Sequence, residues 1–124
     1  MPPASATRVR PGTAVLADVI CVIVFCTIGR RSHAEEITVA GVAETAWPFL
    51  AGTALGWLAV RGWRQPATLA PTGLVIWLST VVIGMLLRKA TSQGTAVSFV
   101  VVASLVTAIL LLGWRAAVSA LARR

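Results

Sequence analysis

Four apolar runs separated by short polar breaks account for most of the chain, and they predict helices at about residues 13–30, 38–61, 71–88 and 95–115. At about 1.5 Å per residue, each crosses most or all of a bilayer core. The third run is the most telling. It carries no charge between Pro71 and Arg88, and its non-aliphatic residues Gly73, Trp77, Thr80, Gly84 and Arg88 follow steps of 4, 3, 4 and 4. At roughly 100° per residue these five stay within an arc of about 80°. The rest of that surface is Leu, Val, Ile and Met, as on a helix with one strip against protein and the remainder against lipid. The first run repeats the steps with Asp18, Val22, Phe25, Gly29 and His33.

The second run holds Glu44 and Trp47-Pro48 near its start, where Pro48 either kinks the helix or marks its true N-terminus. Gly52 and Gly56 follow as a small-xxx-small pair, and with Gly73 and Gly84 they are the expected points of close helix packing. Trp57 and Trp63 read as interfacial aromatics beside Arg61 and Arg64. Pro71 suits the first turn of the third helix. The fourth run is rich in β-branched residues and carries Thr95, Ser98, Ser104 and Thr107 before Gly113-Trp114-Arg115.

Composition turns this pattern into a class. With 124 residues, 57% hydrophobic and 12% charged, the chain is too apolar for a soluble domain of its size. The expected fold is all-α, an integral membrane bundle of four transmembrane helices with short loops over 13–115. A disordered basic tail at 1–12 and a short basic tail at 116–124 flank it. The basic start, apolar run and Ser32-His33-Ala34 also fit a cleavable secretory signal. Asp18 inside the run and Arg30-Arg31 directly after it favour a retained helix.

The net charge of +7 invites a nucleic-acid reading. The basic residues instead sit in pairs at the ends of the apolar runs, where they anchor helices to headgroups, so no nucleic-acid partner is expected. Seven Lys and Arg fall in the N-terminal tail, second loop and C-terminus, against four in the first and third loops. That bias predicts both termini in the cytoplasm of a multi-pass protein of the cytoplasmic membrane, and a margin of seven to four leaves dual topology open. Cys21 and Cys26 lie about 140° apart on a helix, too divergent for an intrahelical disulfide, and read as small packing residues. A single histidine and no Cys/His cluster argue for no metal and no cofactor. Phosphate-binding glycine loops and nucleophile elbows are missing, so no enzymatic activity is expected.

Two polar groupings remain. Asp18 lies about 8 Å in from the predicted helix start, within reach of Arg61 or Arg115 on the same side. An intramembrane carboxylate is either a structural ion pair or a functional group. Toward the opposite side gather Arg30, His33, Glu35, Glu36, Glu44, Arg88 and Thr95. Glu44 and Arg88 share a predicted depth and are expected to pair; the sharper reading is a polar vestibule in which His33 titrates near neutral pH. Beyond the lipid bilayer itself, the expected partner is a second copy or another membrane protein. The first suits an oligomeric transporter or channel for a small solute or ion, the second an accessory or assembly subunit.

Taken together, Asp18, Gly29-Arg30-x-x-His33, Trp47-Pro48-Phe49-x-x-Gly52-x-x-x-Gly56-Trp57, Pro71-x-Gly73, Trp77-x-x-Thr80-x-x-x-Gly84-Met85-x-Leu87-Arg88, Gly94-Thr95-Ala96, Phe99 and Gly113-Trp114-Arg115 form a pattern. It resembles a small prokaryotic membrane family catalogued as domain of unknown function 3054, from about Asp18 to Arg115. The resemblance implies a four-helix integral membrane protein and supplies no activity. Small multidrug transporters also carry an acidic residue in the first helix, but it is glutamate and their other motifs are unmatched. The pore asparagine of small fluoride channels has no counterpart, since the chain contains no asparagine.

Overall fold

The computed structural model describes residues 9–32, 37–93 and 96–122, and among them every regular element is helical. Helix α1 is Pro11–Ser32 and α2 is Val39–Val60. A short 3-10 turn at Gly62–Arg64 leads to a π-helical turn at Leu69–Gly73 and then α3, Leu74–Ala90. Helix α4 starts at Val97–Thr107, passes through a π-helical turn at Ala108–Leu112 and continues as Gly113–Ala122. The fold is thus a four-helix bundle.

Local sequence explains the helix ends. Thr38 caps α2, its Oγ1 accepting the Gly41 N–H at 2.9 Å, which satisfies one of the orphan donors of the first turn. Pro48 lies inside α2 rather than at its start. At the other end Arg61 takes the left-handed conformation, φ 51° and ψ 56°, although glycine is next in sequence. Gly62 is needed elsewhere: a Cβ there would fall 2.4 Å from the Trp57 ring. Ahead of α3, Ala70 is extended (φ −125°, ψ 133°) and Pro71 opens the helical path. The fourth helix runs past Arg115 to Ala122, because Ala-Ala-Val-Ser-Ala-Leu-Ala offers good helix formers and no breaker.

Among the described residues, three helical stretches are long and apolar enough to cross a bilayer: Pro11–Arg30, Leu69–Ala90 and Val97–Leu121. Helix α2 is as long as α1, at 22 residues and about 33 Å of helix, but is not one of these stretches. Its small and polar residues face protein instead, with Ala46, Pro48, Phe49, Gly52, Thr53, Gly56 and Trp57 all buried. Exposed side chains along the middle of the other helices, among them Ile20, Leu78, Val82 and Leu105, are aliphatic. Several polar side chains, Asp18, Thr53, Thr80, Thr107 and Arg115 among them, are buried instead.

The core sits between these polar ends. Phe25 meets Phe49 edge-on at 5.3 Å between centroids, and Phe99 lies 6.2 and 6.3 Å from them. Val22, Cys26, Ala46 and Ala103 complete the cluster. Helices α2 and α3 approach most closely. Gly52 abuts the Ser79 carbonyl, Gly56 lies on Ile76 Cα, and Gly84 receives the face of Phe49. Contact this close is what glycine at a helix crossing permits.

Candidate functional site

At the end where α1 begins and α4 nears its close, Asp18 is fully buried. Its carboxylate accepts four hydrogen bonds. Oδ1 receives Arg115 Nη1 at 2.8 Å and Trp114 Nε1 at 2.9 Å; Oδ2 receives Arg115 Nη2 at 2.7 Å and Trp57 Nε1 at 2.9 Å. A carboxylate offers about four lone-pair sites, so the group is saturated. Arg115, also fully buried, directs two more of its five N–H donors to backbone: Nε to the Pro66 carbonyl and Nη1 to the Leu111 carbonyl, each at 3.0 Å. Its guanidinium also lies 4.4 Å from the Trp114 ring centroid.

This node touches every helix. Asp18 comes from α1, Trp57 from α2, and Trp114 and Arg115 from α4. The π-helical turn that leads into α3 contributes through Gly73, where a Cβ would lie 2.9 Å from Arg115 Cδ. Of the two partners open to Asp18, the structure selects Arg115. Arg61 is the exposed left-handed cap of α2. Trp57, expected at the interface, is only 6% exposed, and its N–H points into the node. A buried indole requires an acceptor, and a carboxylate at the same predicted depth was the signal for it.

In the middle of the bundle Thr80 is buried against Thr53, hydroxyl to hydroxyl at 2.7 Å. Each also approaches its own helix, Thr53 on the Phe49 carbonyl at 2.9 Å and Thr80 on the Ile76 carbonyl at 2.7 Å. Two protons serve three contacts, so one hydroxyl donates across the helices and the other along its own. Thr53→Val keeps the shape and removes the cross-helix bond. Its expected cost is about 0.6 kcal/mol and no more than about 1.7, measured as the shift in denaturant midpoint in detergent.

At the opposite end the described residues leave a recess. A cavity of ≈ 570 Å³ is lined by Arg30, Glu44, Thr45, Arg88 and Gln93, with Phe25, Cys26 and Phe99 among its apolar walls. Arg30 Nη1 donates to Thr45 Oγ1 at 3.1 Å, and Arg88 Nη1 donates to Gln93 Oε1 at 3.1 Å. The Arg88 guanidinium stands 4.5 Å from the Phe99 ring centroid. The expected Glu44–Arg88 pair is a correction: both residues line the recess, but among the described residues the ion pair formed is Asp18–Arg115. Arg88 is drawn toward Phe99 and Gln93, while Glu44 lies on the exposed side of α2. His33 and Thr95, with Glu35 and Glu36, fall outside the described residues.

Geometry therefore gathers Arg30, Glu44 and Arg88 at one end, Asp18 at the other and Thr80 between. Phe25 lies seven residues from Asp18 along α1, about 10 Å of helix. That length, filled by the phenylalanine cluster, separates the recess from the node. Both cysteines are free. Cys21 approaches the Leu110 carbonyl at 3.5 Å, and Cys26 packs in the core beside the recess.

Such a bundle, with aliphatic outer faces and buried polar groupings, defines a small helical protein suited to a bilayer. The chain belongs to the family described as protein of unknown function (DUF3054), whose model matches residues 15–118. Neither curated proteins nor solved structures give a match.

Proposed function

We propose that the protein is a multi-pass protein of the cytoplasmic membrane that carries a small polar solute or ion and works as a homo-oligomer. The recess is the solute's entry and the Asp18–Arg115 node the closed end. One observation supports this above others: a charged, polar-lined cavity enters the bundle from one end and stops at Phe25 and Phe99, about 10 Å short of a sealed opposite end. A carrier open to one side has that form. The excess of basic residues on the node side supports a cytoplasmic position for that end and for both termini. Four short helices rarely surround a pathway alone, and a second copy supplies the remaining wall.

The reading is tested in liposomes holding the full chain, with inorganic phosphate, acetate, glycine, choline and sodium as labelled probes. Uptake of one probe above that of empty liposomes is expected, lowered at least tenfold by Arg88→Ala. Failure of all five probes, together with stable co-purification of a different membrane protein, would sink the carrier reading in favour of an accessory subunit.

A further inference from the structure

Just beyond the bond from Trp77 Nε1 to the Ser104 carbonyl, which ties α3 to α4 at 3.0 Å, the two helices part on their outer side. There Val81, Val82, Met85 and Leu86 of α3 face Val100 of α4 across a groove of ≈ 390 Å³, and Lys89 closes one end. Val82 and Leu86 are 51% and 58% exposed. The groove follows the i, i+4 rows 81–85–89 and 82–86, so it runs along the helix axis. Its length from Val81 to Lys89 is eight residues, about 12 Å. One leaflet of a bilayer's hydrocarbon core is about 15 Å deep.

The end of the groove marks the headgroup level. Helix α3 stops at Ala90, and Thr91, Ser92 and Gln93 follow as a polar turn. Arg88 turns inward to Phe99, whereas Lys89 is exposed. The groove is therefore apolar over the depth of one leaflet and ends on an outward-facing cation where a phosphate would stand. Met85, unbranched and adaptable, suits a wall that conforms to a mobile chain.

We infer that the α3–α4 groove is a binding site for an anionic phospholipid, with one acyl chain against Val81, Val82, Met85, Leu86 and Val100 and the headgroup phosphate on Lys89. The site is independent of the recess and of any transport. A lipid held there covers the cleft that α3 and α4 leave open on their outer side.

The test is native mass spectrometry of the full chain in detergent, titrated with phosphatidylglycerol or with phosphatidylcholine of the same acyl composition. Phosphatidylglycerol is expected to be retained in preference. Lys89→Gln, at an exposed helix end, should lower its occupancy about fivefold, the effect of one cation near an anionic headgroup, and bring it to the phosphatidylcholine level. Val82→Trp fills the groove while leaving Lys89 in place, and should lower retention of both lipids. Equal retention of the two lipids by the natural chain overturns the inference, as does retention unchanged in both variants. So does a dimer, linked through a Val82→Cys disulfide between copies, in which the second chain covers the groove.

Discussion

Replacing Asp18 by alanine should destabilise the bundle by about 3–5 kcal/mol, the range for removing one partner of a buried ion pair. The size follows from what is left behind. Arg115 is fully buried, and its guanidinium loses both carboxylate oxygens while the Trp57 and Trp114 indoles lose their acceptor. Asp18→Asn should do little better, because its amide nitrogen faces N–H donors. The double change Asp18→Leu with Arg115→Met removes both charges, and hydrophobic replacement of a buried pair is often neutral. Here it should recover only part of the loss, since Pro66 and Leu111 carbonyls and two indoles remain without partners, at about 1–3 kcal/mol each when buried. Thermal unfolding in detergent, followed by tryptophan fluorescence, reads all three. Full recovery in the double variant would show that the four extra bonds contribute little.

Adding a single methyl group at Gly52 has the second largest expected effect. A Cβ there lies 2.6 Å from the Ser79 carbonyl oxygen and 3.0 Å from Thr80 Cα. Both are backbone atoms, so no side-chain rotation relieves the clash and α2 must move off α3. The same movement breaks the 2.6 Å bond from Ser79 Oγ to the Gly52 carbonyl and stretches the Thr53–Thr80 contact. Overpacking of this kind costs about 1–3 kcal/mol, occasionally more, and Gly52→Ala should fall in that range. Gly113→Ala is the matched control: nothing lies within 4 Å of a Cβ there, and helix propensity favours alanine by about 1 kcal/mol. A lower denaturant midpoint for the first and an equal or higher one for the second is the expected result.

These two residues also show what a single sequence reveals. The strip Gly73, Trp77, Thr80, Gly84 and Arg88 was legible because helical periodicity is fixed by geometry, and Gly73, Thr80 and Gly84 are indeed buried. The glycine pair of α2 was legible for the same reason. Periodicity gives the face of a helix but not its neighbour, so Asp18 had two equally placed arginines. What separates them is the backbone at Arg61, which turns left-handed and leaves that residue exposed. No local pattern contains that. Matching Glu44 to Arg88 by depth failed likewise, because depth is one coordinate and the direction of each side chain is another. Trp57 was misplaced because tryptophan near a run's end fits both the headgroup region and a buried donor. Only the carboxylate across the bundle separates the two.

The node joins residues 97 positions apart, and during synthesis that distance is time. At about 5–20 residues per second, Asp18 leaves the ribosome some 5–20 s before Arg115 exists. Throughout that interval the first helix must hold a carboxylate that no arginine yet neutralises, in a solvent that penalises bare charge. Its place about 10 Å from the start of α1 lets it wait at the membrane edge, in contact with water. The last helix then does more than complete the bundle: only with its synthesis does the first helix gain the partner that neutralises its carboxylate.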